Sequence, residues 1–306
     1  MWVLLAANFT TATGVSMFLP FLPMYFQQMG VSDPGEAVLW TGAVFSVQSL
    51  TSVIFQPVWG TRADKHGYRS TLLISGIGMA TMTVLMGFAG APWQLLALRF
   101  LNGVFAGFNA LARSFMAVIA PVDYSGRALG ALNSGMTAGV LLGPLFGGAV
   151  AGLFGVRTVF FFTGSLMLVS VLLVGVFVKE KRREPANQGS GEAKPKGRLS
   201  ELKPLIPVYS AIAMTQVAMM SLMPIVPVFA DVLYDGDHLE LVTGLVMSMS
   251  GFGTLIGSPL LGWISDRYGP RVVLLLSMGA CALSFVPQAL AGSIGVLLAA
   301  RFALGL

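Results

Sequence analysis

Long apolar stretches separated by short polar gaps dominate the hydropathy pattern of the chain. Nine of them reach about 20 residues, the length that an α-helix needs to cross a bilayer core. They lie at 2–29, 38–60, 71–90, 93–120, 128–152, 157–178, 205–230, 241–263 and 272–292, and a tenth begins near Ile294 and reaches Leu306. Barrel strands would need only about 10 alternating residues. The pattern therefore predicts an all-α membrane protein with nine full transmembrane helices and the start of a tenth.

The composition of the chain argues against a soluble protein. Of its 306 residues, 55% are hydrophobic and only 10% are charged, whereas about 25% of a soluble domain is charged. The single cysteine, Cys281, excludes a disulfide scaffold. We see no nucleophile–base pair, no cluster of metal ligands and no phosphate-binding loop. The sequence thus predicts neither an enzyme nor a bound cofactor or metal.

The charged residues indicate how the chain is oriented. Residues 179–203 contain 12 of the 31 charged residues, together with Pro, Gly and Ser but no aromatic residues, which predicts a solvated linker rather than a nucleic-acid-binding surface. Lys and Arg also occupy the gaps after the even-numbered stretches, whereas the gaps after the odd-numbered ones contain only Arg157. By the positive-inside rule, the amino terminus and the linker lie in the cytoplasm and the protein is a multi-pass protein of the plasma membrane.

An internal repeat relates the two halves of the sequence. A shift of 202 residues aligns Gly42 with Gly244, Ser46 with Ser248, Pro57 with Pro259, Gly103 with Gly305 and Arg99-Phe100 with Arg301-Phe302. A shift of 204 aligns Pro20 and Pro23 with Pro224 and Pro227. We therefore predict a six-helix bundle over 1–178, the basic linker over 179–203 and a partial second bundle over 204–306. Since Leu306 corresponds to Val104, some 74 residues of the second bundle are expected to be absent, unless the protein is a natural short form.

A ten-residue motif occurs at the same place in both repeats, in gaps that we expect to be cytoplasmic loops. Its members are Gly60, Asp64, Lys65, Gly67 and Arg69 in the first copy and Gly262, Asp266, Arg267, Gly269 and Arg271 in the second. The duplicated motif resembles the signature of the major facilitator superfamily. The resemblance implies two parallel bundles of a twelve-helix fold, latched in one access state by these loops. Arg62, and Tyr68 where a basic residue is usual, depart from the family pattern and leave the partner of Asp64 open. The alternative is a basic loop that only sets topology.

The stretch 128–152 contains glycines spaced four residues apart. Gly139, Gly143, Pro144, Gly147 and Gly148 resemble the motif of drug:proton antiporters in the same superfamily. In those proteins the motif seals the interface with the eighth helix, where we expect Gly251, Gly253 and Gly257 to face it. The alternative is ordinary packing of small residues between membrane helices.

A polar face on the stretch 93–120 provides the candidate substrate cavity. Arg99, Asn102, Asn109 and Arg113 fall within an arc of about 80° on a continuous helix. Inserting an arginine near the bilayer centre costs at least about 2.5 kcal/mol of free energy. Such a residue should therefore face the bundle interior or water. We expect this face, with Asn8 and Thr11 of the first stretch, to line a central cavity. The alternatives are an interhelical strut for Arg99, snorkelling for Arg113, and hydrogen bonds to backbone carbonyls for Asn8 and Thr11.

The sequence and the resemblance together favour a transporter. No acidic residue lies within an apolar stretch, so the group that proton coupling usually requires is not visible. The two arginines favour neutral or anionic amphiphiles as substrates. We expect a monomeric secondary active exporter in the lipid bilayer, driven by the proton gradient and moving drugs or similar small molecules by alternating access. The alternatives are symport uptake of a small anionic metabolite, and a non-transporting membrane sensor or assembly protein with the same fold.

Overall fold

A computed structural model describes residues 2–119, 124–178, 206–234 and 236–306 of the chain. This part is built of helices and contains no β-strand. Eight spans in it are long and apolar enough to cross a membrane, and a bent pair of helices forms a ninth. A shorter apolar helix follows at Ile294–Gly305. The predicted fold class is confirmed. The predicted linker, 179–203, lies outside the described residues.

The helices follow the apolar stretches within a few residues. They are α1 (Trp2–Phe18), α2 (Leu22–Gln28), α3 (Pro34–His66), α4 (Tyr68–Met86), α5 (Pro92–Phe105), α6 (Phe108–Ile119), α7 (Ser125–Phe154), α8 (Val156–Phe177), α9 (Ile206–Leu222), α10 (Ile225–Leu233), α11 (Leu239–Tyr268), α12 (Pro270–Ala289) and α13 (Ile294–Gly305). We call the membrane side on which α1 begins the near end, and the opposite side the far end. Successive spans alternate in direction between these two ends.

Three spans contain a break. In the first span, a 3-10 turn at Leu19–Phe21 separates α1 from α2, and α9 meets α10 at an angle of 41°. Both breaks lie at the repeated proline pairs, because a proline cannot donate the hydrogen bond that a continuous helix requires. The fourth span breaks at Ala106 and Gly107, where neither residue is a proline. Our expectation of an uninterrupted helix over 93–120 is therefore wrong.

The repeat is visible in the backbone at two tight turns. Gly67 joins α3 to α4 with φ 91° and ψ 151°, and Gly269 joins α11 to α12 with φ 87° and ψ 155°. This region of φ and ψ is essentially open only to glycine. In each turn the glycine N–H donates to the carbonyl four residues earlier, which closes the end of the preceding helix.

Small residues allow the helices of the first repeat to pack closely. The helix α1 runs parallel to α7, and α4 runs antiparallel to α8, where Gly164 approaches the carbonyl of Ala80. Aromatic residues fill the far end of this repeat, where Phe18 stacks on Phe160 at 5.3 Å. Many Leu, Val and Phe side chains on the outer surface are exposed, as expected for spans that face lipid.

Candidate functional site

The ten-residue motif of the first repeat forms the end of a helix rather than a loop. The helix α3 continues to His66, and α4 begins at Tyr68, so Gly67 is the only residue between them. Gly60, Asp64 and Lys65 are helical and exposed. In the second repeat, α11 likewise ends at Tyr268, the counterpart of His66, and only Gly269 separates it from α12. The expectation of loops at 60–69 and 262–271 is therefore corrected: each copy is a helix end followed by a one-residue turn.

The structure provides a partner for Asp64 that the sequence left open. The hydroxyl of Tyr68 donates to Asp64 Oδ1 at 3.1 Å, and the Tyr68 ring stacks on Phe115 at 5.6 Å. Arg69 donates to the carbonyl of Gly175 on α8. The motif is thus attached to α6 and α8 of its own repeat.

The second copy of the motif makes different contacts. The guanidinium of Arg267 lies over the rings of Trp263 and Tyr268, at 5.7 and 5.9 Å. Asp266 and Arg271 are exposed. The two copies therefore share their backbone geometry but differ in their side-chain interactions.

Most of the glycine motif on α7 packs against α1. A Cβ on Gly139 would lie 2.6 Å from the carbonyl oxygen of Phe9, and Gly143 and Gly147 approach the backbone of α1 as closely. Ser16 also donates to the carbonyl of Gly139 at 3.1 Å. This face of the motif therefore packs small residues between two membrane helices, which is the alternative role that the sequence left open.

A second face of the same motif contacts the eighth span. A Cβ on Gly148 would lie 2.6 Å from the carbonyl oxygen of Glu240, and a Cβ on Gly244 would overlap the carbonyl of Pro144. Further along, Gly251 lies against the side chain of Leu141. These contacts lie in the far halves of α7 and α11, and α10 also contacts α2 there. The two repeats are thus in direct backbone contact at the far end.

The expected partners on α11 are corrected in part. Gly253 and Gly257 do not face α7, because a Cβ on either would overlap α13, at Phe302 and Leu306 respectively. Gly251 faces α7 as expected, and Gly244, which the sequence did not single out for this contact, is the residue that meets Pro144 and Gly148.

Arg99 lies in the interior of the first repeat. Its side chain is fully buried, and its guanidinium lies 4.2 Å from the centre of the Phe18 ring. Nη1 donates to Oε1 of Gln48 on α3. The atoms Nε and Nη2 are buried and have no hydrogen-bond partner. Arg99 therefore links three spans, as the strut alternative describes, while part of its hydrogen-bonding capacity is unused.

Asn102 extends the same network. Its Oδ1 accepts from Nε2 of Gln48 at 3.2 Å, and its Nδ2 lies 3.1 Å from the carbonyl of Met79 and 3.3 Å from Oγ1 of Thr83. Gln48 thus bridges Arg99 and Asn102. Gln48 was not among the predicted site residues, although a glutamine within the apolar stretch 38–60 is a visible signal.

The other predicted cavity residues lie elsewhere. Asn109 and Arg113 are on α6, beyond the break, where Arg113 is exposed and its Nε lies 3.4 Å from the carbonyl of Asn109. Asn8 and Thr11 are buried on α1, and Asn8 donates to the carbonyl of Leu132 on α7. The structure therefore brings together Arg99 and Asn102 only. A substrate-binding role stays a prediction for all six residues of the predicted cavity, which are Arg99, Asn102, Asn109, Arg113, Asn8 and Thr11.

A cavity of about 310 Å³ lies beside the break in the fourth span, between α3 and α6. It is lined by residues that include Gln56, Pro57, Trp59, Gly107, Ala110 and Ser114. Trp59 Nε1 donates to the carbonyl of Val104 at 2.6 Å, and a Cβ on Gly107 would lie 2.8 Å from Cγ of Trp59. Trp59 was not among the predicted site residues.

These features define a multi-pass α-helical membrane protein with an internal sequence repeat, in which small residues bring two spans of different repeats into backbone contact. The chain belongs to the Major Facilitator Superfamily, whose family model matches residues 4–306. The resemblance inferred from the motifs is confirmed.

Proteins with similar sequences are named multidrug resistance proteins. The chain is 36% identical over 299 residues to "Multidrug resistance protein MdtG" of Proteus mirabilis (strain HI4320), covering 97% of this chain and 74% of that protein. It is 35% identical over 299 residues to the protein of the same name from Citrobacter koseri (strain ATCC BAA-895 / CDC 4225-83 / SGSC4696), with the same coverage.

Solved structures show the same fold at low sequence identity. A crystal structure of the peptide transporter POT in complex with sulfate matches with a TM-score of 0.78 and 15% identity, over 99% of this chain and 78% of that one. A bacterial homolog to the human lysosomal transporter Spinster, in an inward-facing and occupied conformation, matches with a TM-score of 0.72 and 19% identity, over 99% of this chain and 72% of that one.

Proposed function

We propose that the protein is a secondary active exporter of drugs and other neutral or anionic amphiphilic molecules. The observation that carries this proposal is the backbone contact between α7 and α11 at the far end, made by Pro144, Gly148 and Gly244. A transporter that works by alternating access needs one end closed while the other is open. The name of the similar proteins, multidrug resistance protein, supports drugs as the substrate class.

The proposed mechanism is a rocking motion of two bundles, 1–178 and 204–306, about a central cavity. The cavity residues are Arg99, Asn102, Asn109, Arg113, Asn8 and Thr11, and the helix ends around Asp64 and Asp266 hold the bundles together in one of the two states. Opening the near end admits substrate, and separation of α7 from α11 releases it at the far end. Small residues suit such a contact because few side chains must repack.

We further propose that the near end faces the cytoplasm of a bacterial cell, with the amino terminus and the residues 179–203 on that side. The distribution of Lys and Arg supports this orientation. The far-end seal then closes the protein toward the outside. In this proposal the protein acts as a monomer in the plasma membrane, without a bound cofactor or nucleic acid, and the proton gradient supplies the energy.

The test is transport in inside-out membrane vesicles from cells that express the gene encoding this chain. A fluorescent anionic amphiphile, anilinonaphthalene sulfonate, should accumulate in these vesicles when a proton gradient is imposed, and an uncoupler should abolish the accumulation. Vesicles from cells without the gene provide the background. Equal signals in the two preparations would contradict the proposal.

Vesicles of the opposite orientation, prepared from the same cells, separate the alternatives. Uptake by symport predicts accumulation of the probe in right-side-out vesicles under an inward proton gradient. A sensor or assembly protein predicts no movement in either preparation. The name of the similar proteins does not favour either alternative.

A further inference from the structure

The positive charge of Arg99 has no negative partner near it. The side chain is fully buried, and its contacts are the amide of Gln48 and the ring of Phe18. No Asp or Glu side chain is buried anywhere in the described ranges. A buried positive charge without a negative charge nearby leaves a strong positive potential in its surroundings.

The second repeat contains the same arrangement with a different partner. Arg301, which corresponds to Arg99 by the shift of 202 residues, is buried, and its Nη2 lies 3.4 Å from Sδ of Met247. Its Nε has no hydrogen-bond partner. Both repeats therefore place a guanidinium in their own interior beside a neutral group.

Gln48 lies between Arg99 and the surface of the first repeat. Its side chain is half-buried, whereas Arg99 behind it is fully buried. The orientation of the amide is fixed at both ends, because Oε1 accepts from Arg99 and Nε2 donates to Asn102. A glutamate here could still accept from Arg99, but it would cancel the charge and could not donate to Asn102.

We propose that Gln48 determines the charge selectivity of transport. Its neutral amide positions Arg99 without neutralising it, so the interior favours neutral and anionic amphiphiles and disfavours lipophilic cations. This inference rests on the proposed export function and adds to it one residue that sets which substrates are accepted.

The test compares two probes of opposite charge in inside-out vesicles. Anilinonaphthalene sulfonate is the anion and tetraphenylphosphonium the cation, and the measured quantity is the ratio of their protein-dependent uptake rates. Gln48→Glu should shift this ratio toward the cation by about tenfold or more, since a full opposite charge is added beside Arg99. Gln48→Met, which is neutral, should keep the ratio even where it lowers both rates.

A matched control lies on the same helix. Gln56 is exposed, lines the cavity beside α6 and does not contact Arg99, so Gln56→Glu adds the same charge without neutralising the guanidinium. It should leave the ratio unchanged. If Gln48→Glu does not fold, Arg99→Gln is the second variant. It removes the positive charge itself and should shift the ratio in the same direction.

The outcomes distinguish this inference from the function on which it rests. Wild-type vesicles that move neither probe would overturn the export function, and the inference with it. Active wild-type vesicles whose ratio is unchanged in Gln48→Glu and in Arg99→Gln, or is shifted equally by Gln56→Glu, would overturn the role of Gln48 alone.

Discussion

The indole Nε1 of Trp59 donates a hydrogen bond of 2.6 Å to the carbonyl of Val104, next to the break in the fourth span. The last carbonyls of α5 lack the partners that a continuous helix would give them. An unpaired carbonyl inside a membrane protein is costly, because lipid offers no donor. Trp59 therefore stabilises the break from the neighbouring helix α3, and Gly107 leaves the space that its ring needs.

Replacing this donor should lower stability. Trp59→Phe removes the hydrogen bond to Val104, which is worth about 0.5–1.5 kcal/mol, and keeps an aromatic ring in place. We expect the midpoint of thermal unfolding in detergent to fall by about 2–4 °C. The control is Trp93→Phe, since Trp93 is exposed and no hydrogen bond joins it to the described residues. Equal midpoints for the two variants would contradict this role of Trp59.

The two glycines of the ten-residue motif should respond differently to alanine. Gly67 has a positive φ of 91°, so Gly67→Ala should strain the turn by about 1–3 kcal/mol. Gly60 lies inside α3 with no atom within 4 Å of an added Cβ, and Gly60→Ala should stabilise the helix by about 0.5–1 kcal/mol. Thermal unfolding of the two purified variants measures the difference. A loss of stability in Gly60→Ala that matches the loss in Gly67→Ala would contradict the assignment.

A Cβ at Gly148 should hinder closure of the far end. In Gly148→Ala the methyl group would lie 2.6 Å from the carbonyl of Glu240, and such overpacking costs about 1–3 kcal/mol. If that cost falls on the state with the far end closed, the equilibrium ratio of closed to open far ends decreases about 5- to 150-fold, and the export rate per folded protein falls. Gly152→Ala is the control, because no atom lies within 4 Å of the added Cβ. Export at the wild-type rate in Gly148→Ala would show that the contact is not needed.

Variants of Asp64 and of its partner Tyr68 test whether export requires the charge of Asp64 or its hydrogen bond. Tyr68→Phe removes the hydroxyl that donates to Asp64 but keeps the carboxylate and the ring that stacks on Phe115. We expect this variant to retain most of its export, and Asp64→Asn to lose it. Because Asp64 is exposed, Asp64→Asn should change the free energy of unfolding by no more than about 0.5 kcal/mol. Vesicle export and thermal unfolding measure the two quantities. Equal loss of export in both variants would indicate that the hydrogen bond, not the charge, is what matters.

The positions of the spans could be predicted from the sequence because bilayer thickness dictates the length of an apolar run. The repeat could also be predicted, and the turns at its equivalent positions Gly67 and Gly269 have similar φ and ψ. The break at Ala106 and Gly107 could not, since no proline marks it. The donor that the structure places beside it, Trp59, lies more than forty positions earlier in the chain, and such tertiary contacts leave no local pattern.

The candidate site was only partly predictable. Arg99 and Asn102 could be assigned to the interior from the cost of burying polar groups in lipid, but their common partner Gln48 became visible only in the structure. The two faces of the glycine motif could have been separated from the sequence. Consecutive helical residues point about 100° apart, so Gly148 cannot share the face that Gly147 presents to α1.

The joint between α7 and α11 consists of main chain resting on main chain, at Gly148 and Gly244. Such a joint has no long side chains that interlock, so in the export cycle that we propose the two helices can part there without a change of rotamer. Parting would expose a smooth strip of main chain rather than a row of empty sockets, and the same strip would fit again when the helices return. The reversibility of this contact then follows from the side chains that Gly148 and Gly244 lack.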